Sequence, residues 1–167
     1  MKGSGPVARR YHSAVVFENG LYVFGGFSAQ QKPLNDLWKF DSDRMEWEVV
    51  ESSGDVPSAR YGHVAVIYNN QMYVHGGNMD KFSALDDFYV FDFGTKVWKL
   101  IGQDENRPPS RYFHSGAIKD NRFYVFGGAK TNSLYYNDLF YYDFDLRKWF
   151  KIEIPSNPEG PQPCAGH

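Results

Sequence analysis

Apolar and polar residues alternate along most of this chain in short runs, the pattern typical of half-buried β-strands. Near the start of the chain the runs are His12–Phe17, Leu21–Phe24, Leu37–Phe40 and a fourth that carries Trp47. The Asn19-Gly20 pair between the first two runs favours a tight hairpin turn. No stretch has apolar residues at the 3.6-residue spacing of a helix over a comparable length. The pattern predicts a unit of four β-strands.

This unit occurs three times. The segment Tyr-Val-Phe-Gly-Gly that ends at Gly26 returns ending at Gly77, where His75 replaces the phenylalanine, and again ending at Gly128. Paired glycines at such a point allow positive φ and close backbone approach. The offset is 51 residues both times, and without any gap further columns match: Gly25, Gly76 and Gly127; Pro6, Pro57 and Pro108; Arg9, Arg60 and Arg111; His12, His63 and His114; Asp36, Asp87 and Asp138; Asp41, Asp92 and Asp143; Trp47, Trp98 and Trp149. A fixed period of this length indicates an array of like structural units.

A four-stranded sheet repeated at about this period is the blade of a β-propeller. The double glycine after an aromatic-rich strand, the aromatic third strand and the tryptophan in the fourth resemble the kelch repeat over nearly the whole chain. The local pattern Pro-x-x-Arg-x-x-His with Asn-Asp-Leu-Trp is similar to the larger cytosolic kelch proteins, such as the leucine-zipper-like cullin-3 adaptor. The predicted fold class is therefore all-β, a kelch-type β-propeller of three four-stranded antiparallel blades plus the start of a fourth.

The repeat also sets the predicted boundaries. Residues 1–5 are lead or cloning residues, residues 6–51 form blade 1, residues 52–101 form blade 2 and residues 102–154 form blade 3. Residues 155–167 begin a fourth repeat, because Pro161, Cys164 and His167 match Pro108, Arg111 and His114 at a shift of 53 residues.

Three blades are fewer than the four to eight from which propellers are typically built. The terminal blades are then expected to expose apolar faces and to favour self-association. Either this is part of a longer chain, or two chains join to form a six-bladed ring about a two-fold axis.

Composition narrows the classes of partner. The formal charge of −2 gives no electrostatic footprint for nucleic acid or a membrane surface. No N-terminal signal peptide and no apolar stretch long enough to span a bilayer are present in the sequence. The single cysteine, Cys164, cannot form an internal disulfide framework. We expect a cytoplasmic location, with the nucleus as the alternative.

The repeated polar columns suggest chemistry but have simpler interpretations. The histidine column could converge on a metal, yet equivalent atoms of adjacent blades lie too far apart for the ~2.0–2.1 Å of a zinc–nitrogen bond. We therefore expect each histidine to hydrogen-bond a neighbouring loop. The Asp36 and Asp41 columns are predicted to fix turns, and the tryptophans to pack between blades. We predict no catalytic residue, no metal and no cofactor, and hence no enzyme.

The arginine column, Arg9, Arg60 and Arg111, supplies the strongest binding candidates. Each lies just before the first strand of its repeat, which the kelch resemblance implies is the innermost strand, so the three side chains are expected at one mouth of the central channel. Arginine suits bidentate recognition of carboxylate or phosphate, and the kelch resemblance implies contacts with acidic peptides at this motif position. The alternative is that each arginine pairs with an acidic residue of the neighbouring blade, for example in the Asp36 column. Cys164 stands where a fourth arginine would be.

Long loops that vary among the repeats are predicted at the same mouth. Function concentrates in variable loops on a rigid scaffold, and aromatic residues are enriched at interface hot spots. We therefore expect a protein-interaction module that binds an acidic or phosphorylated segment. The resemblance implies partner recognition in a ubiquitin-ligase adaptor or a small-GTPase regulator; a cytoskeletal, actin-associated scaffold and a propeller enzyme are the alternatives. The predicted aromatic anchors are Phe27, Phe82, Tyr112 and Tyr135.

Overall fold

A computed structural model describes residues 5–80, 83–102, 104–153 and 161–166. Its first sheet, which we call blade 1, is antiparallel throughout. The third strand in chain order pairs with the second strand on one side and with the fourth strand on the other, and the fourth pairs with the fifth. The strands are β1 (Arg9–Arg10), β2 (Ser13–Phe17), β3 (Gly20–Ser28), β4 (Pro33–Asp41) and β5 (Glu46–Val49).

Blade 2 repeats this arrangement in β6 (Ser53–Gly54), β7 (Val64–Tyr68), β8 (Gln71–Asn78), β9 (Ala84–Asp92) and β10 (Val97–Leu100). Blade 3 consists of β11 (Ser115–Lys119), β12 (Arg122–Phe126), β15 (Leu139–Asp143) and β16 (Lys148–Ile152), with a small separate hairpin of β13 (Ala129–Thr131) and β14 (Leu134–Tyr135). The innermost strands β2, β7 and β11 lie side by side in that order. The described residues include no helix, and therefore none that could cross a membrane.

The all-β propeller architecture is confirmed, but blades 1 and 2 each carry a strand more than the four predicted. In blade 1, Gly25 and Gly26 adopt φ of 61° and 101°, and the register shifts between Phe24 and Gly26. This bulge lets β3 continue past the glycines to Ser28, where it pairs with β1. In blade 2 the extra strand is β6, which comes from the linker and pairs parallel with the outer edge of β10.

The core lies between the blades. One cluster of buried side chains joins blades 1 and 2, and includes Phe24, Met72, Phe91 and Trp98. A second joins blades 2 and 3, and includes Phe88, Phe123, Tyr142 and Trp149. Each blade therefore depends on its neighbour to bury its apolar face, as expected for a repeat protein.

The predicted tryptophan packing holds for two of the three residues. Trp98 and Trp149 are 1% and 3% exposed between blades, whereas Trp47 is only partly buried. Trp47 packs against Phe40 within blade 1, and Val16, also of blade 1, is 69% exposed. Among the described residues, these two apolar side chains are therefore less covered than Trp98 and Trp149.

Candidate protein-binding surface

The motif arginines Arg60 and Arg111 each join two blades, whereas the backbone and the side chain of Arg9 both bind within blade 1. The backbone of Arg60 belongs to the edge of blade 1, where its carbonyl accepts a hydrogen bond from Gly26 N–H (2.8 Å) and its N–H donates to Leu34 O (2.9 Å). Its guanidinium reaches into blade 2, where it donates to both carboxylate oxygens of Asp87 (2.5 and 2.9 Å) and to Gly76 O (3.0 Å). The residue therefore fixes the position of blade 2 against blade 1.

Arg111 and Arg9 repeat this side-chain geometry with their own aspartates. Arg111 Nη1 lies 2.7 Å from Asp138, and Arg9 Nη1 lies 2.6 Å from Asp36. Burial alone would raise the pKa of Asp36, but the hydrogen bonds from Arg9 and Trp38 outweigh it and hold that pKa below its usual range. The acid partner is the Asp36-column residue that the alternative interpretation named, and it follows its arginine by 27 residues within the same repeat.

These ion pairs determine how much of each motif arginine a binding partner could contact. The guanidinium-bearing side chains of Arg9, Arg60 and Arg111 are 4%, 0% and 0% exposed. The paired arrangement is the one found, and contact of these arginines with a partner stays a prediction. Such contact would require each guanidinium to give up its aspartate.

Residues 161–166 occupy the same kind of junction on blade 3. Gly128 N–H donates to Cys164 O (2.8 Å) and Cys164 N–H donates to Tyr136 O (3.1 Å), the backbone bonds that Arg60 and Arg111 make at the earlier junctions. Gly166 N–H then donates to Phe113 O (2.8 Å), just as Phe113 donates to Gly62. The segment therefore binds the edge of blade 3 through the same backbone bonds that Arg60 and Arg111 make on blades 1 and 2, and its being the start of a fourth repeat stays a prediction.

The histidine column also bridges blades. His63 Nε2 lies 2.8 Å from Ser13 Oγ on blade 1, and His114 Nε2 lies 3.1 Å from His75 Nδ1 on blade 2. These partners lie on strands, so the expected hydrogen bonds form, but to neighbouring strands and not to loops. Burial, with the positive charge of nearby arginines, lowers the pKa of both His63 and His75 to about 3. Within the described residues, no three His, Cys, Asp or Glu side chains are grouped so as to hold a metal ion.

The aspartate columns divide into two roles. Asp41 accepts hydrogen bonds from the backbone N–H groups of Asp43 (3.1 Å) and Arg44 (3.0 Å). Asp92 and Asp143, the other members of this column, accept backbone hydrogen bonds in the corresponding turns. The turn prediction is confirmed there. It is wrong for the Asp36 column, whose carboxylates bind the arginines.

The predicted aromatic anchors lie in different surroundings. Phe27 is partly buried and its ring centre lies 5.0 Å from that of Tyr61. Tyr112 is buried and donates through its hydroxyl to Asn132 Oδ1 (3.2 Å), while exposed Tyr135 donates to Asn132 O (2.9 Å). Phe82 lies outside the described residues.

Aromatic side chains gather at the mouth, the end where the chain enters β2, β7 and β11. We call Tyr11, Phe27, Tyr61 and Phe113 the mouth cluster. The ring of Tyr11 lies edge-on to Phe113 at 4.7 Å and 6.1 Å from Tyr61. Tyr11 is 49% exposed, and the other three are partly buried. Tyr11, Tyr61 and Phe113 were not predicted from the sequence, although each follows the motif arginine of its repeat by one or two positions.

The backbone holds this cluster in place. Gly62 N–H donates to Tyr11 O (2.9 Å), and Phe113 N–H donates to Gly62 O (2.7 Å), so the three blades are linked at the mouth. Tyr11 and Phe113 adopt φ of 61° and 54°, a conformation uncommon for aromatic residues. The surrounding hydrogen bonds therefore fix the direction in which these two rings project.

Arg10 is the cation of this surface. Its guanidinium carbon lies 5.4 Å from the ring centre of Tyr11 and 5.3 Å from that of Phe27. The residue is exposed, and its guanidinium forms no ion pair with any described residue.

Comparison with known proteins places these features in one family. A family model described as the KLHDC2/KLHL20/DRC7 Kelch-repeats domain matches residues 1–167. The Leucine-zipper-like transcriptional regulator 1 homolog of Drosophila melanogaster is 30% identical over 99% of this chain and 17% of its own length. The N-(sulfonatooxy)prop-2-enimidothioate sulfolyase of Thlaspi arvense is 30% identical over 98% of this chain and 49% of its own length. The chain thus spans less than half of either curated relative.

A solved structure supports the same fold. The structure of YjhT superposes with a TM-score of 0.75 at 21% sequence identity, over 91% of this chain and 54% of the other.

Proposed function

Because the chain belongs to the kelch-repeat family, we propose that it is a protein-interaction module whose binding surface is the mouth cluster with Arg10. The single observation that carries this proposal is a group of aromatic rings, partly open to solvent, at an end where no blade needs them for its core. Aromatic and arginine side chains are the types enriched at the centres of protein interfaces. The fold alone would not assign this role, since propellers host many functions.

Binding is favoured over catalysis by the state of the polar groups near the channel. The motif arginines and aspartates are consumed in ion pairs, and His63 and His75 are buried with pKa values too low for proton transfer near neutral pH. Similarity to a protein named as a sulfolyase favours an enzyme as the second candidate. Turnover of that relative's substrate by the purified chain would support the second candidate over the first.

We infer the wider role by analogy with the family. The module would supply partner recognition within a ubiquitin-ligase adaptor or a small-GTPase regulator, and a cytoskeletal scaffold is the alternative. The low cysteine content fits a cytoplasmic or nuclear location. Identifying the domains that accompany this chain, and the proteins that it captures in cells, tests this assignment.

A displayed library of random peptides tests the binding surface. Peptides selected on the 167-residue chain are measured against Tyr11→Asn, because asparagine tolerates the positive φ at this position. They are also measured against Leu146→Ala, which removes a 61% exposed side chain from the β15–β16 turn at the opposite end. We expect Tyr11→Asn to weaken binding about tenfold or more and Leu146→Ala to leave it unchanged. Selected peptides that respond only to Leu146→Ala would contradict the proposal.

We also propose that blade 1 can associate with a second copy through Val16 and Trp47. The support is that Val16 is 69% exposed and Trp47 is partly exposed, whereas Trp98, the counterpart of Trp47, is 1% exposed in the cluster between blades 1 and 2. Ring closure by a second copy would need its Arg9 backbone at the edge of blade 3, where Cys164 is already bound. Association is therefore expected to be weak while residues 161–166 stay seated.

A further inference from the structure

Two adjacent arginines of β1 differ completely in their contacts. Arg9 uses Nε and both terminal nitrogens on Val7 O, Gly25 O and Asp36, and its side chain is 4% exposed. Arg10 points to solvent, and its guanidinium makes no hydrogen bond within the part of the chain that the structure describes. The first arginine is thus saturated by the fold, and the second retains its donors for another molecule.

Aromatic rings hold the free arginine. Arg10 pairs in register with Phe27 across β1 and β3, and its guanidinium lies near the rings of both Phe27 and Tyr11. Such cation–π contacts are attractive and restrict the side chain, so less conformational freedom is lost when a ligand binds. Tyr61 and Tyr112 occupy this position in blades 2 and 3, which makes the cation a feature of one side of the mouth only.

We propose that Arg10 recognises the side-chain carboxylate of an acidic residue in an extended partner segment, with a neighbouring apolar side chain of that segment on the ring of Tyr11. This inference rests on the proposed function of the mouth cluster and assigns it a partner chemistry. A planar guanidinium matches a planar carboxylate with two parallel hydrogen bonds. The guanidinium carbon of Arg10 lies 5.4 and 5.3 Å from two ring centres, and none of the guanidinium N–H groups bonds to a described residue, so they are available to such a carboxylate.

The charges nearby are consistent with this assignment. Asp36 is the acid of the same blade at this end, and it is already neutralised by Arg9. Lys32, on the β3–β4 loop at the same end, is exposed and carries the same charge as Arg10, but no aromatic ring of the described residues lies against its ammonium group. Lys32 therefore serves as a control for the net charge of the mouth, as distinct from the held guanidinium.

The test uses the peptides selected on the intact chain that depend on Tyr11. These peptides are expected to be enriched in Asp and Glu relative to the starting library. For the tightest binder, a Glu→Gln peptide should bind about tenfold more weakly, which corresponds to about 1.4 kcal/mol. The tenfold difference should vanish in Arg10→Gln, be reduced in Arg10→Lys, which keeps the charge but loses the planar fork, and persist in Lys32→Gln.

The possible results separate the two proposals. If no selected peptide depends on Tyr11, the proposed function fails and this inference fails with it. If Tyr11-dependent peptides carry no acidic enrichment, or if the Glu→Gln loss persists in Arg10→Gln, only the role of Arg10 is overturned. A phosphoserine peptide that binds more tightly than the Glu peptide would also overturn the assignment, because it would identify phosphate as the preferred anion.

Discussion

Replacing Arg60 by methionine tests whether the blade junction depends on its buried ion pair. Methionine keeps much of the length of the side chain and removes the hydrogen bonds to Asp87, Gly76 O, Ser58 O and Ser58 Oγ. Because the Arg60 side chain is fully buried and that of Asp87 only 20% exposed, little water can reach the abandoned carboxylate.

The expected cost follows from that burial. Removing one partner of a buried ion pair costs about 3–5 kcal/mol, and the partial exposure of Asp87 places Arg60→Met near the lower value. For a chain of this size, about 3 kcal/mol lowers the melting temperature by roughly 6–12 °C. Asp87→Asn added to Arg60→Met should cost little more, because the uncompensated charge is then gone. The double-mutant cycle should give a coupling of about 2 kcal/mol.

Urea unfolding followed by tryptophan fluorescence measures these values, since Trp98 and Trp149 report on the two inter-blade cores. Lys151→Met is the matched control. It removes a cation from an ion pair with Glu153 whose side chains are 51% and 84% exposed, and it should cost less than about 0.5 kcal/mol. If Arg60→Met costs no more than this control, or if peptide capture per folded molecule falls while stability does not, the structural interpretation of the arginine column is wrong.

Three further outcomes are expected. His75→Phe, which restores the phenylalanine found at this position in the other two repeats, should make folding less sensitive to acid. The pKa of His75 is about 3 in the folded chain, against 6.5 for an ordinary histidine. The neutral His75 side chain therefore leaves the stability of the fold intact above pH 6.5, and that stability is lost progressively as the pH falls toward 3. The slope of unfolding free energy against pH, measured by urea titration at mildly acidic pH, should decrease by up to about 1.4 kcal/mol per unit; an unchanged slope would refute this. Gly76→Val should cost about 1–3 kcal/mol because φ is 63° and a Cβ would lie 2.8 Å from Arg111 O, whereas Gly102→Val, with no atom within 4 Å of its Cβ, should melt almost as the wild type does. Deleting residues 161–167 should raise the dimer fraction in sedimentation by freeing the edge of blade 3, and a chain that stays equally monomeric would argue against pairing of terminal blades.

The fold could be predicted because its determinants repeat. Gly25-Gly26 and its counterparts mark a bulge that only glycine adopts easily, and Trp98 and Trp149 mark the inter-blade cores. Both signals are local and recur at one offset. The added strands β1 and β6 were not predicted, because two-residue strands carry no alternation and form only where a linker meets an exposed edge.

The candidate site was predicted less well, because the type of a residue does not show whether its side chain is buried. Arg9 and Arg10 are the same type of residue in adjacent positions. The guanidinium of Arg9 is nonetheless buried in an ion pair with Asp36, whereas Arg10 is exposed. The column match correctly indicated that Arg9, Arg60 and Arg111 share one place in the fold. The column match could not show that each of these arginines forms an ion pair with an aspartate 27 residues later. That pairing depends on how the chain returns to the mouth before β4, β9 and β15.

Residues that keep the repeat and residues that break it therefore carry different information. A residue that recurs where one blade meets the next, such as Arg60 and Arg111, fixes the two blades together, and its hydrogen-bond donors are occupied in doing so. A binding site for one partner segment has no such symmetry, because the partner meets each blade with a different side chain. Arg10 against Tyr61 and Tyr112 is a break of this kind at a solvent-exposed position, and so is Tyr11 against Gly62. His75 also breaks its column, but it is fully buried and can affect only the junction that encloses it. Exposure thus separates the breaks that can serve recognition from those that tune stability, and by this criterion recognition is assigned to Arg10 and Tyr11.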